Sequence, residues 1–86
     1  MIINVSRTAI DNYMWQVTRY LYKHHGTDAG NRMIAPLYWY IETGRGSSDF
    51  LRKLIACKPF VVARILARGG SNDSILMAVK KRVGAE

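Results

Sequence analysis

The sequence predicts a mainly α protein, a compact orthogonal bundle of four to five short helices. Apolar residues recur at spacings of three and four along most of the chain, which is the pattern of one buried helical face. Hydroxyl residues, glycines and prolines divide this pattern into short segments. The chain has 86 residues, of which 49% are hydrophobic. It is too apolar to be disordered and long enough for one domain only, so we expect residues 1–86 to form a single globular unit.

The first predicted helix begins near Ser6 or Thr8, since either hydroxyl can cap its first turn. Gly26 ends it, and His24 and His25 fall in the last turn, where cations complement the helix dipole. Spacings of four, three and four define one buried stripe, formed by Ile10, Met14, Val17 and Leu21.

The next segment is ambiguous. Residues 26–31 are rich in turn and capping residues and are predicted to form a loop. Residues 32–43 fit a helix with Pro36 in its first turn, where a missing N–H is tolerated. The alternation of residues over 37–41 also fits a strand, which would pair with residues 2–5 as a minor two-stranded β ribbon.

Three more short helices are predicted in the second half of the chain. Ser48 caps the third, and Pro59 both ends it and begins the fourth. Gly69 and Gly70 stop the fourth helix, and Ser71 or Asn72 caps the fifth. The inward faces of these helices are formed, in order, by Leu51, Leu54 and Ile55, by Val62, Ile65 and Leu66, and by Ile75, Leu76, Val79 and Val83.

The chain is strongly basic, with 13 Lys+Arg, 6 Asp+Glu and a formal net charge of +7. The excess is uneven, because residues 43–86 contain nine basic and three acidic residues, whereas residues 1–42 contain four and three. Such asymmetry indicates a polyanionic partner for the second half. We therefore expect a small non-enzymatic protein that binds nucleic acid.

Residues 59–83 have the outline of a helix-turn-helix unit, so DNA is favoured over RNA as the partner. The match is weak in detail because the bulky Ile65 and Leu66 lie four residues before the two glycines. The alternative is that these residues are ordinary helix caps and dipole partners. The candidate nucleic-acid-binding residues are Arg45, Arg52, Lys53, Arg64, Arg68, Ser71, Asn72, Ser74, Lys80, Lys81 and Arg82.

Aromatic residues are concentrated in the first half and suggest a second function, that of a protein-binding adaptor or an inhibitor of a larger host complex, as in phage or plasmid accessory proteins. Three consecutive aromatics at 38–40 cannot all face inward, so at least one is exposed and could also mediate a homodimer. On the first helix, burial of Trp15 in the core is favoured over exposure. The candidate partner-binding residues are Trp15, Arg19, Tyr22, Tyr38, Trp39 and Tyr40.

Other classes of function are disfavoured. No phosphate-binding glycine motif or other enzyme signature is present, and we expect no small-molecule substrate and no cofactor. His24, His25 and Cys57 cannot assemble a closed metal site. A lone cysteine indicates a reducing compartment, and the longest apolar run of nine residues is short of the roughly 20 that a membrane span needs. The expected location is cytoplasmic, away from the membrane.

Overall fold

Five helices make up most of residues 6–84, the part of the chain that this computed structural model describes. In chain order they are α1 (Arg7–His25), α2 (Thr27–Glu42), α3 (Ser48–Ala56), α4 (Pro59–Ala67) and α5 (Asn72–Val83). The radius of gyration is 12.1 Å, close to the roughly 12 Å expected of a compact chain of this length. The prediction of a compact, mainly helical bundle is therefore confirmed.

α1 forms as predicted and leads into α2 through one residue. The Ser6 hydroxyl accepts a hydrogen bond from the Ala9 backbone N–H at 3.1 Å, which caps the first turn. Gly26 ends α1 with its N–H donating to the Tyr22 carbonyl at 2.9 Å. Its φ of 87° lies in the left-handed region, where glycine alone is unstrained. Thr27 already begins α2, so the predicted loop at 26–31 is wrong.

Pro36 lies in the interior of α2, which contradicts its predicted place in the first turn. It is the tenth residue of the helix and is buried. Its ring supplies no N–H for the carbonyl of Arg32, so α2 lacks one hydrogen bond of its ladder at this point. The apolar ring instead contributes to the buried face of α2, together with Ile34 and Leu37.

Of the two alternatives for residues 37–41, the structure shows the helix and does not support the strand of a β ribbon. Leu37 and Ile41, four residues apart, are both buried, whereas Trp39 between them is exposed. A strand would have placed all three on one face, so burial follows the helical period. The other half of the ribbon, residues 2–5, lies outside the described residues.

α1 is the central helix of the core and packs against α2, α3 and α4. Its predicted stripe is buried in full, with Val17 and Leu21 completely inaccessible. One leucine from each of α2, α3 and α4 belongs to the same core cluster and is equally inaccessible: Leu37, Leu54 and Leu66. The core is thus built from leucines and valines of several helices, as expected for close-packed small bundles.

The last three helices follow the prediction with small shifts. α3 is capped by Ser47 rather than Ser48, since the Ser47 hydroxyl accepts from the Phe50 N–H at 3.1 Å. Phe50 and Leu54 form its buried face, and Leu51 and Ile55 are half-buried. Pro59 begins α4 and Ser71 caps α5, both as predicted. Residues buried on these two helices include Val62, Ile65, Leu66, Ile75 and Val79, whereas Leu76 and Val83 are half-buried.

Candidate nucleic-acid interface

A groove with a volume of about 560 Å³ separates α4 from α5 and is bordered by four basic side chains. Arg64 and Arg68 lie four residues apart on α4 and therefore share one face of that helix. Lys81 and Arg82 line the opposite wall on α5. The remaining lining is apolar and comes from Val61, Ile65 and Ala78. The fold thus brings together four of the predicted nucleic-acid-binding residues.

The four cations of the α4–α5 groove are exposed and lack carboxylate partners within the described part of the chain. Asp73 is the one acidic residue on α4 and α5, and it does not line this groove. Like charges held side by side without counter-charges raise the local positive potential. The groove is therefore suited to a ligand that carries several negative charges.

Two other predicted residues, Arg52 and Lys53, are engaged in contacts that stabilise α3. Both form ion pairs with Asp49 one turn earlier, and the Lys53 ammonium lies 3.3 Å from its carboxylate. Hydrogen bonds from Lys53 and Arg52 hold the pKa of the Asp49 carboxyl below its usual range. Lys53 also donates to the Gly84 carbonyl at 3.0 Å, which links α3 to the end of α5. Neither side chain lines the α4–α5 groove.

Ser71 and Ser74 form the N-terminal cap of α5. The Ser71 hydroxyl accepts from the Ser74 N–H at 3.1 Å, and the Ser74 hydroxyl donates to the Ser71 carbonyl at 2.9 Å. These bonds satisfy backbone groups that a helix start leaves unpaired. The capping alternative therefore accounts for both serines without a ligand.

The side of α5 that faces away from the α4–α5 groove has three more of the predicted residues on or near it: Lys80, Arg45 and Asn72. The Lys80 ammonium sits 4.7 Å from the centre of the Tyr40 ring, a cation–π contact between α5 and α2. Tyr40 is half-buried and packs edge-on against Phe50, with 5.5 Å between ring centres. Arg45 and Asn72 line a second groove, between α2 and α5. These three residues are thus separate from the α4–α5 groove.

The aromatic surface, which consists of Trp15, Tyr38 and Trp39, extends across α1 and α2. Trp15 is 56% exposed and Trp39 is 61% exposed, so the expected burial of Trp15 is wrong. Trp15 and Tyr38 line a common groove of about 190 Å³. Tyr38 and Trp39 meet edge to face at 5.5 Å. The stripe of α1 faces the core, and Trp15 is offset from it by enough to remain in solvent.

The remaining predicted partner-binding residues have different environments. Tyr22 is half-buried between α1 and α2, where its ring lies against Gly30 and its hydroxyl donates to the Asn31 side-chain oxygen. Its side chain therefore holds the two helices together. Arg19 is exposed and lies beside Trp15 and Lys23 along the outer face of α1.

Two exposed apolar residues were not predicted from the sequence. Met77 is 65% exposed near the middle of α5, and Phe60 is 40% exposed at the start of α4. Met77 lies three residues after Ser74 and four before Lys81, on the polar side of the helix. This break in the amphipathic pattern was visible in the sequence and could have identified the residue. Met77 lies on the same outward face of α5 as Lys81.

Within residues 6–84, no three His, Cys, Asp or Glu side chains come close enough to hold a metal ion. No helix in this range is long and apolar enough to cross a membrane. No protein-family model, curated protein or solved structure matches the chain.

Proposed function

We propose that this protein is a non-enzymatic nucleic-acid-binding protein that contacts phosphates through the α4–α5 groove. The observation that carries the proposal is the set of four basic side chains that line this groove without carboxylate partners among residues 6–84. Phosphate contacts of this kind supply most of the affinity of sequence-independent binding. Arg64, Arg68, Lys81 and Arg82 are the proposed contact residues.

The spacing of the cations favours a polymer over a single small anion. Arg64 and Arg68 are separated by about 6 Å along the axis of α4, and two further cations lie across the groove on α5. A ligand that satisfies all four must present negative groups at several positions, as a phosphodiester backbone does. DNA remains favoured over RNA, because the outward face of α5 with Met77 and Lys81 could enter a major groove.

A matched pair of double variants tests this proposal. Arg64→Ala/Arg68→Ala removes two charges from the groove, and Arg19→Ala/Arg32→Ala removes two exposed arginine charges elsewhere that form no ion pair within residues 6–84. At about 50 mM salt, loss of two phosphate contacts is expected to weaken binding to a random-sequence duplex roughly a hundredfold. The control is expected to change the affinity by a few-fold only. Fluorescence anisotropy with a labelled DNA duplex and its RNA counterpart measures both.

The comparison has two outcomes that would refute the proposal. Equal losses for the two double variants would mean that net charge rather than the groove determines binding. No binding by the wild-type protein at low salt would exclude nucleic acid as the partner. Circular dichroism of each variant checks that a loss of affinity does not come from unfolding.

We propose protein binding as a second candidate function, because the aromatic surface exposes three large aromatic side chains side by side. Tryptophan and tyrosine provide a large share of the energy at protein interfaces, and basic residues would steer association. The protein would then act as an adaptor or an inhibitor, or would form a homodimer. Sedimentation equilibrium tests whether the wild-type protein forms a homodimer, and Trp15→Ala is expected to abolish this self-association. A wild-type protein that is monomeric at all concentrations would contradict the homodimer.

A further inference from the structure

A second groove, of about 380 Å³, lies between α2 and α5 on the other side of α5 from the basic groove. Two sets of α5 residues line the two grooves: Asn72, Asp73 and Leu76 border the α2–α5 groove, and Ala78, Lys81 and Arg82 border the α4–α5 groove. At about 100° per residue these sets point nearly opposite ways from the helix axis. The α2–α5 groove is therefore a separate site, near the lower end of the roughly 300–1,000 Å³ range of small-ligand pockets.

The α2 wall of this groove presents an exposed indole. Trp39 is 61% exposed and lines the groove together with Pro36, three residues earlier. The end of the helix behind Trp39 is fixed, because the Trp39 carbonyl accepts from the Thr43 N–H at 2.9 Å and from the Thr43 hydroxyl at 2.7 Å. A large aromatic ring on a fixed backbone, outside the core, is a platform on which a flat ring can stack.

Polar groups of two kinds border the same groove. Arg45 is held near Trp39 because its N–H donates to the Tyr40 carbonyl at 3.2 Å. Asn72 and Asp73 lie on the α5 wall and are both exposed. Arg45 and Asp73 do not form an ion pair with each other. The guanidinium and the carboxylate are thus both available to a ligand.

We propose that the α2–α5 groove binds one unpaired nucleotide of a single-stranded nucleic acid, with the base stacked on Trp39. Arg45 contacts the adjacent phosphate, since a guanidinium pairs well with phosphate oxygens. The Asp73 carboxylate accepts hydrogen bonds from N–H groups on the edge of the base, and the Asn72 amide can donate or accept beside it. Guanine fits best because its N1–H and N2–H groups are adjacent donors.

The ligand must be unpaired for two reasons. In a duplex, the faces of a base are covered by its neighbours and its Watson–Crick edge is occupied by the complementary base. The carboxylate of Asp73 also repels phosphate, which fixes the orientation with the base toward α5 and the phosphate toward Arg45. This inference rests on the proposed nucleic-acid-binding function and adds to it a site for an exposed base.

The chain contains two tryptophans, so Trp15→Phe leaves Trp39 as the one indole reporter. The probes are a short guanine-containing DNA strand, its RNA counterpart and the matching DNA duplex. We expect the single strands to quench Trp39 emission and the duplex to leave it nearly unchanged. Trp39→Phe is the matched control, in which Trp15 reports no quenching. The comparison of the two single strands shows whether DNA or RNA is preferred.

Asp73→Asn tests the role of the carboxylate in the Trp15→Phe background. We expect this substitution to lower the ratio of the affinities for guanine and thymine oligonucleotides roughly tenfold. That is the cost of losing one well-placed contact to a base edge. An unchanged preference would overturn the proposed contact with Asp73.

Anisotropy of the labelled strands, recorded on the same samples, separates the two proposals. If the strands bind and Trp39 emission does not change, the inference is wrong and the nucleic-acid-binding function stands. If neither single strand nor duplex binds at low salt, both are wrong.

Discussion

Gly30→Ala tests the close contact between α1 and α2. A Cβ atom at Gly30 would lie 2.6 Å from Cδ1 of Tyr22 and 3.3 Å from its backbone N. Because one contact involves the backbone, rotation of the Tyr22 ring cannot relieve the overlap fully. Alanine favours a helix over glycine by about 1 kcal/mol, whereas overpacking costs about 1–3 kcal/mol. With an overlap this close, we expect the free energy of unfolding to fall by about 1–2 kcal/mol.

Urea denaturation followed by far-UV circular dichroism measures this change, and Tyr22→Ala provides the control. In the Tyr22→Ala background the contacts with the ring are absent and only the 3.3 Å contact with the backbone N remains, so Gly30→Ala is expected to cost less there than in the wild type. The double-mutant cycle therefore gives a coupling energy between the two positions. If Gly30→Ala stabilises the wild-type protein by its helix propensity alone, the close approach of α1 and α2 is refuted.

Three further predictions concern single side chains. The Tyr13 hydroxyl is buried without a hydrogen-bond partner among the described residues, so Tyr13→Phe is expected to stabilise the fold by about 1 kcal/mol. Burial also raises the pKa of Tyr13. The wild type should therefore lose stability as the pH rises above about 10, the pKa of tyrosine in the unfolded chain. In thermal melts, the difference in Tm between the wild type and Tyr13→Phe should widen above that pH. Ser71→Ala removes the hydroxyl that accepts from Ser74. It should lower the free energy of unfolding by about 1 kcal/mol and leave the affinity for DNA unchanged. A loss of affinity in the folded variant would contradict the view that this hydroxyl serves as a helix cap only. The pKa of Asp49 is lowered, first by its hydrogen bond from Lys53 and then by that from Arg52, so its contribution to stability is present above the pKa of the unfolded carboxyl and is lost as the pH falls through the pKa of the native one. NMR titration should give a pKa closer to the ordinary value in Lys53→Ala, where the contact with Arg52 remains, and an unshifted pKa in the wild type would contradict both contacts.

The sequence was sufficient to predict α1, α4 and α5 because local signals and burial agree in these helices. Ser6 and Ser71 are strong caps, Pro59 suits a first helical position, and glycines follow the last turns. Each apolar stripe has the helical period; it is buried at every expected position in α1 and α4 and at two of the four expected positions in α5. Residues 6–26 and 59–84 could therefore be assigned before any tertiary contact was known.

The start of α2 could not be predicted because tertiary packing overrides local propensity there. Asp28, Gly30 and Asn31 are poor helix formers and good loop formers. Gly30 is nevertheless helical because α1 approaches too closely for a side chain, and Asn31 accepts from Tyr22. Pro36 is tolerated in the interior because its ring is buried in the bundle. Both reasons depend on contacts with residues outside the segment.

The sequence could predict only in part which basic residues form ion pairs and which line the α4–α5 groove. Asp49, Arg52 and Lys53 have the i, i+3 and i+4 spacing of ion pairs on one helix, so their pairing could have been foreseen. That Arg64 and Arg68 share a groove with Lys81 depends on how α4 packs against α5. The exposure of Trp15 likewise depends on how far α2 and α4 wrap around α1, which periodicity does not specify.

The salt dependence of DNA binding tests the proposed α4–α5 interface most directly. Four phosphate contacts predict that the logarithm of the association constant falls with the logarithm of salt concentration at a slope of about −3.6. Arg64→Ala/Arg68→Ala should reduce this slope to about −1.8, because two contacts remain. The measurement is fluorescence anisotropy on a random-sequence duplex between about 50 and 200 mM salt. A slope that is the same for both proteins, or close to zero for the wild type, would contradict the proposal that this groove binds the phosphate backbone.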